Sequence, residues 1–313
     1  MSRRTIMVFG IVVVFVAAAT ALVVLRSGEE PLDITLETVD GTDGSATTAN
    51  EPIRIAVSAM TSPKETFTYY QQILDYISEK TGRPVQLVQR ETYQEVNDLI
   101  DRGELDMAFV CTGAYVEGHE KFGMEILAAP VAYGEPSYYS LIIVPADSDT
   151  VSLEDLRGKD FAFTDPMSNT GRLVPVYMLG QMGETSAAFF SKTIFTYSHD
   201  RSIQAVAEGI VDGAAVDSLV YDYMAATGDP CIARTRVIRK SPPYGIPPVV
   251  VPQGLDPALK EELREILLAM DTDPKGAMIL EHIKIDRFQL IDDEAYDSVR
   301  EMQTWIDANV PGQ

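Results

Sequence analysis

The chain has 313 residues, 46% of them hydrophobic, and a formal net charge of −22. That length allows one large domain or two lobes with a sizeable core. The acidic balance argues against nucleic acid as a partner, because that binding rests on Lys and Arg neutralising phosphates. Any anionic ligand would have to be held by backbone and hydroxyl donors rather than by a broad positive field.

Arg3 and Arg4 precede an uncharged run from Thr5 to Leu25. A helix of that length, at roughly 1.5 Å per residue, just crosses a bilayer core. Ala19-Thr20-Ala21 fits a signal-peptidase pattern, yet Leu22 to Leu25 continues the apolar run and Arg26 follows. Residues 1–26 are therefore expected to be a signal anchor or a signal peptide, with the anchor favoured. The positive-inside rule places the body on the periplasmic or extracellular face, with residues 5–25 holding it in the cytoplasmic membrane. Residues 27–52, rich in Gly, Ser, Thr, Asp and Glu, read as a flexible polar tether.

In the body, Ile53 to Val57 reads as a strand. Thr66 to Lys80 has helical spacing, with Tyr70, Ile73, Leu74 and Ile77 on one face, and Thr81-Gly82-Arg83-Pro84 stops it. Val85 to Val88 predicts a strand, Tyr93 to Arg102 a helix ended by Gly103, and Asp106 to Val110 a third strand. This alternation implies a parallel sheet covered by helices. From Tyr138 it starts over. Strands are predicted at 138–144, 161–164, 194–197 and 214–216, with helical segments at 152–156, 172–180 and 200–209 between them. Pro242-Pro243 and Pro247-Pro248 bracket a crossing segment. Val249 to Val251 and helices over 257–270, 274–283 and 294–306 close the chain.

Asp165-Pro166-Met167-Ser168-Asn169-Thr170-Gly171 falls between a strand and a helix. It puts small hydroxyl and amide residues at a helix N-terminus. The first N–H groups there lack intrahelical partners and the helix dipole is positive. Such a turn suits an anion, and by itself it equally suits plain capping. The cysteines, Cys111 and Cys231, and the three histidines form no Cys-x-x-Cys or His/Cys cluster, so no metal and no cofactor is expected. Whether the cysteines pair is left open.

Three stretches acquire meaning together. Glu91-Thr92-Tyr93 and Gly103-Glu104-Leu105-Asp106 follow the opening strand-helix-strand. The turn Asp165 to Gly171 is the second. Ser198-His199-Asp200, followed by Gly209 to Asp212 and then Val216-Asp217-Ser218, is the third. In this order they resemble the periplasmic substrate-binding proteins of phosphonate, phosphite and phosphate ABC transporters, the PhnD-like family, over roughly residues 50–305. The resemblance implies an α/β type II periplasmic-binding-protein fold with two lobes joined by a hinge, behind an N-terminal transmembrane or signal helix. Lobe 1 would be residues 53–140 and 248–313, and lobe 2 residues 141–247.

The resemblance further implies an extracytoplasmic solute-binding protein that captures a small phosphorus oxyanion and delivers it to an ABC transporter permease. The ligand would sit in the cleft between lobes, at the carboxyl ends of parallel strands. Ser168, Asn169 and Thr170 would donate to phosphoryl oxygens. Tyr93 would close the pocket from lobe 1, Tyr138 would face it from the crossing strand, and His199 would donate from a helix start. Asp217 fits beside an anion only if a proton is shared, which selects a protonated oxyanion. Asp217 and His199 would both make affinity fall as pH rises. Thr112 and the Gly113 N–H would face the ligand, although Cys111-Thr112-Gly113-Ala114-Tyr115 departs from the family's pattern, as does Pro247-Pro248.

No enzyme is expected: Ser168, His199 and Asp217 could form a triad, but a Gly-x-Ser-x-Gly elbow is missing. The alternative function is a membrane-anchored sensor that binds the same ligand and signals in trans. The truncated body is expected to be a monomer, its acidic surface keeping copies apart.

Overall fold

A computed structural model of the chain describes residues 51–310. The expected signal segment, and the expected tether up to residue 50, lie outside the described residues. Among the described residues no helix is long and apolar enough to cross a membrane.

β1 (Ile53–Val57), β2 (Val85–Val88) and β3 (Met107–Phe109) run parallel, with β1 between the other two. β1 is almost wholly buried, as a strand covered by helices on both faces must be. The crossovers are the helices Pro63–Thr81 and Tyr93–Asp101. The first stops at Gly82, whose φ of 65° suits glycine. The second opens with a capping box: the Thr92 hydroxyl accepts from Glu95 N and the Glu95 carboxylate accepts from Thr92 N. Helix Thr112–Phe122 and β4 (Glu125–Val131) follow, neither of them predicted from the sequence.

The chain then leaves this sheet through β5 (Ser137–Tyr138). β6 (Ser140–Pro145), β7 (Asp160–Phe163), β8 (Lys192–Phe195), β9 (Gly213–Asp217) and β10 (Thr235–Lys240) form a second sheet, in the order β10-β6-β9-β7-β8. Within it β7 is parallel to β8 and β9. β11 (Tyr244–Gly245) pairs antiparallel with β5, so the two crossing segments lie side by side. β12 (Val249–Val251) inserts between β3 and β4, antiparallel to both, and β13 (Arg287–Gln289) adds to the edge at β4. The first sheet therefore runs β13-β4-β12-β3-β1-β2.

One core packs Ile73, Ile77 and Leu263 on Ile55 and Met107 of the first sheet. Another packs Ile203 and Val206 on Leu141 and Val216 of the second. The largest includes residues of both sheets and the last helix, Asp297–Asn309. That helix is not confined to the first sheet's surroundings: Trp305 meets Tyr177 edge-on at 4.9 Å, on helix Val174–Gln181.

The largest local departure from the sequence pattern follows β7. The helix predicted from Arg172 is preceded by a π-helical turn, Asn169–Leu173, and the α-helix starts at Val174. Gly171 permits the turn, because a Cβ there would lie 2.4 Å from Thr164 Oγ1. Cys111 and Cys231 are both free.

The crossing segment is held from below. Tyr296 Oη donates to Ile246 O at 3.0 Å in a buried setting. Tyr296→Phe is expected to lower stability by about 1–3 kcal/mol, the cost of leaving a buried carbonyl short of a donor. Urea unfolding, read as a lower midpoint with an unchanged slope, checks this.

Candidate functional site

Parallel strands with helical crossovers bring their carboxyl ends to one edge. Ser58 follows β1, Cys111 and Thr112 follow β3, and the Asp165–Thr170 turn follows β7. Ser198 and His199 follow β8, and Asp217 ends β9. Helices Thr112–Phe122, His199–Ala207 and Ser218–Ala226 start at these points, as does the π-helical turn. Their free N–H groups and positive dipole ends come with them.

Loops from the two sheets meet here. The Tyr93 N–H donates to Asp165 Oδ2 at 3.2 Å. The His199 N–H donates to Met60 O, and the Ser62 N–H to Asp200 Oδ1, both at 2.9 Å. The loops also come close at Gly113, where a Cβ would lie 2.2 Å from Met167 O and 3.1 Å from Asn169 N.

Ser168, Asn169 and Thr170 are fully buried. Ser168 caps the π-helical turn, its Oγ accepting from the Gly171 N–H at 3.0 Å, which leaves its own proton to give. Asn169 donates through Nδ2 to Tyr138 Oη at 3.1 Å, fixing the amide and placing Tyr138 of β5 in the same cluster. The Thr170 carbonyl is held by Ser140 Oγ at 2.6 Å, while its own hydroxyl finds no partner in the protein. Thr112 behaves differently: its hydroxyl donates to Gly245 O of β11 at 2.8 Å, so its proton serves the crossing segment.

His199 is fixed in one tautomer. The Asp217 N–H donates to Nδ1 at 3.1 Å, so the ring proton sits on Nε2, which is buried without a partner. Burial pushes the ring down to about 3. This overturns the expectation that His199 shapes the pH profile, since it is neutral throughout the working range. Asp217 moves the other way, with burial pushing its carboxyl up to about 7. Its Oδ1 accepts from the Leu219 N–H at 2.6 Å as the cap of helix Ser218–Ala226. Burial first, then the neighbouring ionisable groups of Cys111, Asp165, Asp217 and Tyr138, raise the Tyr93 hydroxyl well above its ordinary range. Burial likewise pushes the Cys111 thiol up to about 11.

Among the described residues, seven buried side-chain atoms find no hydrogen-bond partner within the protein. One, Asn97 Oδ1, belongs to helix Tyr93–Asp101, and the Asn97 amide donates to Ala114 O of the neighbouring helix. The other six are Ser58 Oγ, Tyr93 Oη, Asn169 Oδ1, Thr170 Oγ1, Ser198 Oγ and His199 Nε2. Four hydroxyls and a ring N–H can donate, and the Asn169 oxygen can accept. None of the six belongs to Lys or Arg. Such a set suits an oxyanion that keeps one proton: its oxygens take the donors and its hydroxyl gives to Asn169.

Ser58 and Ser198 were not singled out as site residues by sequence. Ser198 stands beside His199 in the quoted motif. Ser58 is signalled only by being the first small polar residue beyond a buried parallel strand.

The sequence profile of the family described as "ABC transporter, phosphonate, periplasmic substrate-binding protein" matches residues 55–296. The phosphate-import protein PhnD of Mycolicibacterium smegmatis is 29% identical over 239 residues, 72% of this chain and 74% of that protein. A solved binding-protein component of an ABC phosphonate transporter from Pseudomonas aeruginosa superposes with a TM-score of 0.78 at 25% identity, covering 83% of this chain and 90% of that one. PhnD1 of Prochlorococcus marinus, solved with methylphosphonate, shares the fold with a TM-score of 0.74 at 18% identity, covering 82% and 98%. With its mixed α/β sheets and its polar cluster at the strand ends, the chain belongs to the periplasmic substrate-binding proteins of phosphonate ABC transporters.

Proposed function

We propose that the protein captures a small phosphorus oxyanion, as phosphonate, phosphite or phosphate, between its two sheets and hands it to an ABC permease. The observation that carries this is the set of six buried, partnerless polar atoms at the strand ends, drawn from both sheets. Five donors and one acceptor match a monoprotonated phosphoryl group, and the named relatives are phosphate and phosphonate proteins. In this reading the sheets belong to lobes, residues 53–140 with 248–313 and residues 141–247, that close as a hinge at β5 and β11. The side chains Ser168, Asn169, Thr170, His199, Asp217, Tyr93 and Tyr138 form the binding surface, with Thr112 buttressing it. Binding occurs without turnover, by a monomer, and residues 5–25 anchor the body; the anchor is supported by the sequence alone. Transport is favoured over sensing by the import role in the name of the Mycolicibacterium smegmatis relative.

The partnerless hydroxyl of Thr170 gives a sharp test. Thr170→Val is expected to weaken phosphate or methylphosphonate binding by about 1.5–3 kcal/mol, the value of a hydrogen bond to a charged group. Stability should stay level or rise, since an unsatisfied buried hydroxyl is removed. Ser168→Ala should lose affinity and about 1 kcal/mol of stability, because the cap goes too. Calorimetry paired with urea unfolding separates the two; unchanged affinity in both variants would place the site elsewhere.

Asp217 sets the sign of the pH dependence. Below about 7 its carboxyl is protonated and can donate; above, it is a carboxylate beside an anion. Affinity should therefore fall as pH rises through that value. Asp217→Asn should flatten the profile, and His199→Gln should lower affinity without changing the profile's shape. Calorimetric titration from about pH 5.5 to 8 checks this, and a flat wild-type profile speaks against the shared proton.

Gly113→Ala should hold the lobes apart, because its Cβ would meet backbone on the other side. The expected result is a loss of at least about tenfold in affinity and a larger radius of gyration by small-angle scattering in saturating phosphate.

A further inference from the structure

Two carboxyl groups, those of Asp165 and Asp200, tie one side of the cleft to the other. Asp165 is 1% exposed. Its Oδ1 accepts from the Met167 N–H at 2.8 Å, inside the turn that carries Ser168 to Thr170. Its Oδ2 accepts from the Tyr93 N–H, the first of helix Tyr93–Asp101 on the first sheet's side. Burial raises the Asp165 carboxyl, while the Met167 and Tyr93 N–H groups and the Arg172 charge hold it down. Asp200 repeats the arrangement. It lies in the first turn of helix His199–Ala207 and accepts from the Ser62 N–H. Ser62 is the N-cap of helix Pro63–Thr81, and its side chain makes no capping bond. In a capping box the N-cap N–H is met by an acid from the helix's own first turn. Here the acid comes from across the cleft.

At a helix N-terminus the first N–H groups have no intrahelical partner and the dipole is positive. Hydrogen bonds to an ionised acceptor are roughly twice as strong as neutral ones. A carboxylate at such a point is favoured on both counts. The exchange is mutual. The His199 N–H, first of its own helix, donates to Met60 O at 2.9 Å, and its N-cap Ser198 makes no capping bond. Three helix N-termini thus find an acceptor across the cleft. Between the two sides lies a cavity of about 120 Å³, with Tyr70 and Phe109 on one wall and Leu219 and Val220 on the other. Asp200 stands on this largely apolar lining, where little water competes for its bond. None of the three bonds uses any of the six partnerless atoms. Closure and ligand capture therefore rest on different groups.

We propose that Asp165 and Asp200 are positioning residues that hold the cleft closed in the ligand-free protein, by capping two helices of the first sheet's side from the second. This rests on the hinge reading above and not on which ligand is bound. The ligand meets a site already assembled, and its release requires these caps to break.

Amide-resolved hydrogen exchange on the full chain tests it. The amides of Ser62, Tyr93 and His199 have their acceptors across the cleft, so their protection reports closure. With no ligand added, all three are expected to exchange at least about tenfold more slowly than in an unstructured chain. The proposal is overturned if they exchange at unstructured rates until phosphate or methylphosphonate is supplied. Asp165→Ala combined with Asp200→Ala should release all three. His199 is the telling one, because its acceptor, Met60 O, is untouched by either substitution. The amide of Ile55 in β1 should stay protected and shows that the fold survives. A His199 amide as slow in the folded double variant as in the wild type also overturns the proposal. If the double variant loses Ile55 protection, Asp200→Ala alone decides. It should speed exchange at Tyr93 and His199 at least about tenfold although their acceptors remain, and no change at either sinks the idea. The measurement is made without ligand. A failure of phosphorus oxyanions to bind in calorimetry would therefore remove the oxyanion reading and leave this one standing.

Discussion

Six polar atoms buried without partners are a heavy burden for a domain. At about 1–3 kcal/mol each they sum to roughly the whole stability of a typical protein. A fold can carry them only if the backbone beneath is over-determined, and here it is. Ser168 caps the turn, Ser140 holds the Thr170 carbonyl, Tyr138 fixes the Asn169 amide, and Asp217 fixes the His199 ring. Thr170 Oγ1, Asn169 Oδ1 and His199 Nε2 are left buried without a partner on the same residues. The donors are thus set before any ligand arrives, and little ordering remains to be done on binding.

The same economy explains how an acidic protein can receive an anion. Its donors are neutral: hydroxyls, a histidine locked as the Nε2–H tautomer, and the N-termini of helices. Neutral donors in a dry site need no buried guanidinium, whose desolvation costs several kcal/mol. In the proposed reading they would also discriminate by proton count, because an amide oxygen and a carboxyl with its affinity for protons raised stand among them. A ring of cations would favour the more highly charged species instead.

Much of this was legible in the residues. The β-α-β opening, the stop at Gly82, and the small polar turn after Phe163 all follow from periodicity and capping chemistry. What was hidden had local causes. Helix Thr112–Phe122 carries Gly113 and Gly118, poor helix formers, where side chains would collide with Met167 O and Met124. Helix Ser218–Ala226 shows little apolar periodicity, because its apolar residues face the cavity as well as the core. The π-helical turn depends on the absence of a Cβ at Gly171 against Thr164, a contact no local pattern reports. The His199 tautomer depends on the Asp217 N–H, 18 residues along the chain, and its loss of charge depends on burial, which composition alone does not reveal.

The net charge of −22 has a kinetic side. A free anion approaching the cleft meets repulsion over the length that mobile ions leave unscreened, about 10 Å at 0.1 M. Once inside, it meets neutral donors whose grip owes little to distant charge. Encounter and retention therefore answer differently to ionic strength. Added salt speeds arrival by screening the repulsion and leaves departure almost untouched, opposite to sites lined with lysine and arginine, where salt weakens capture.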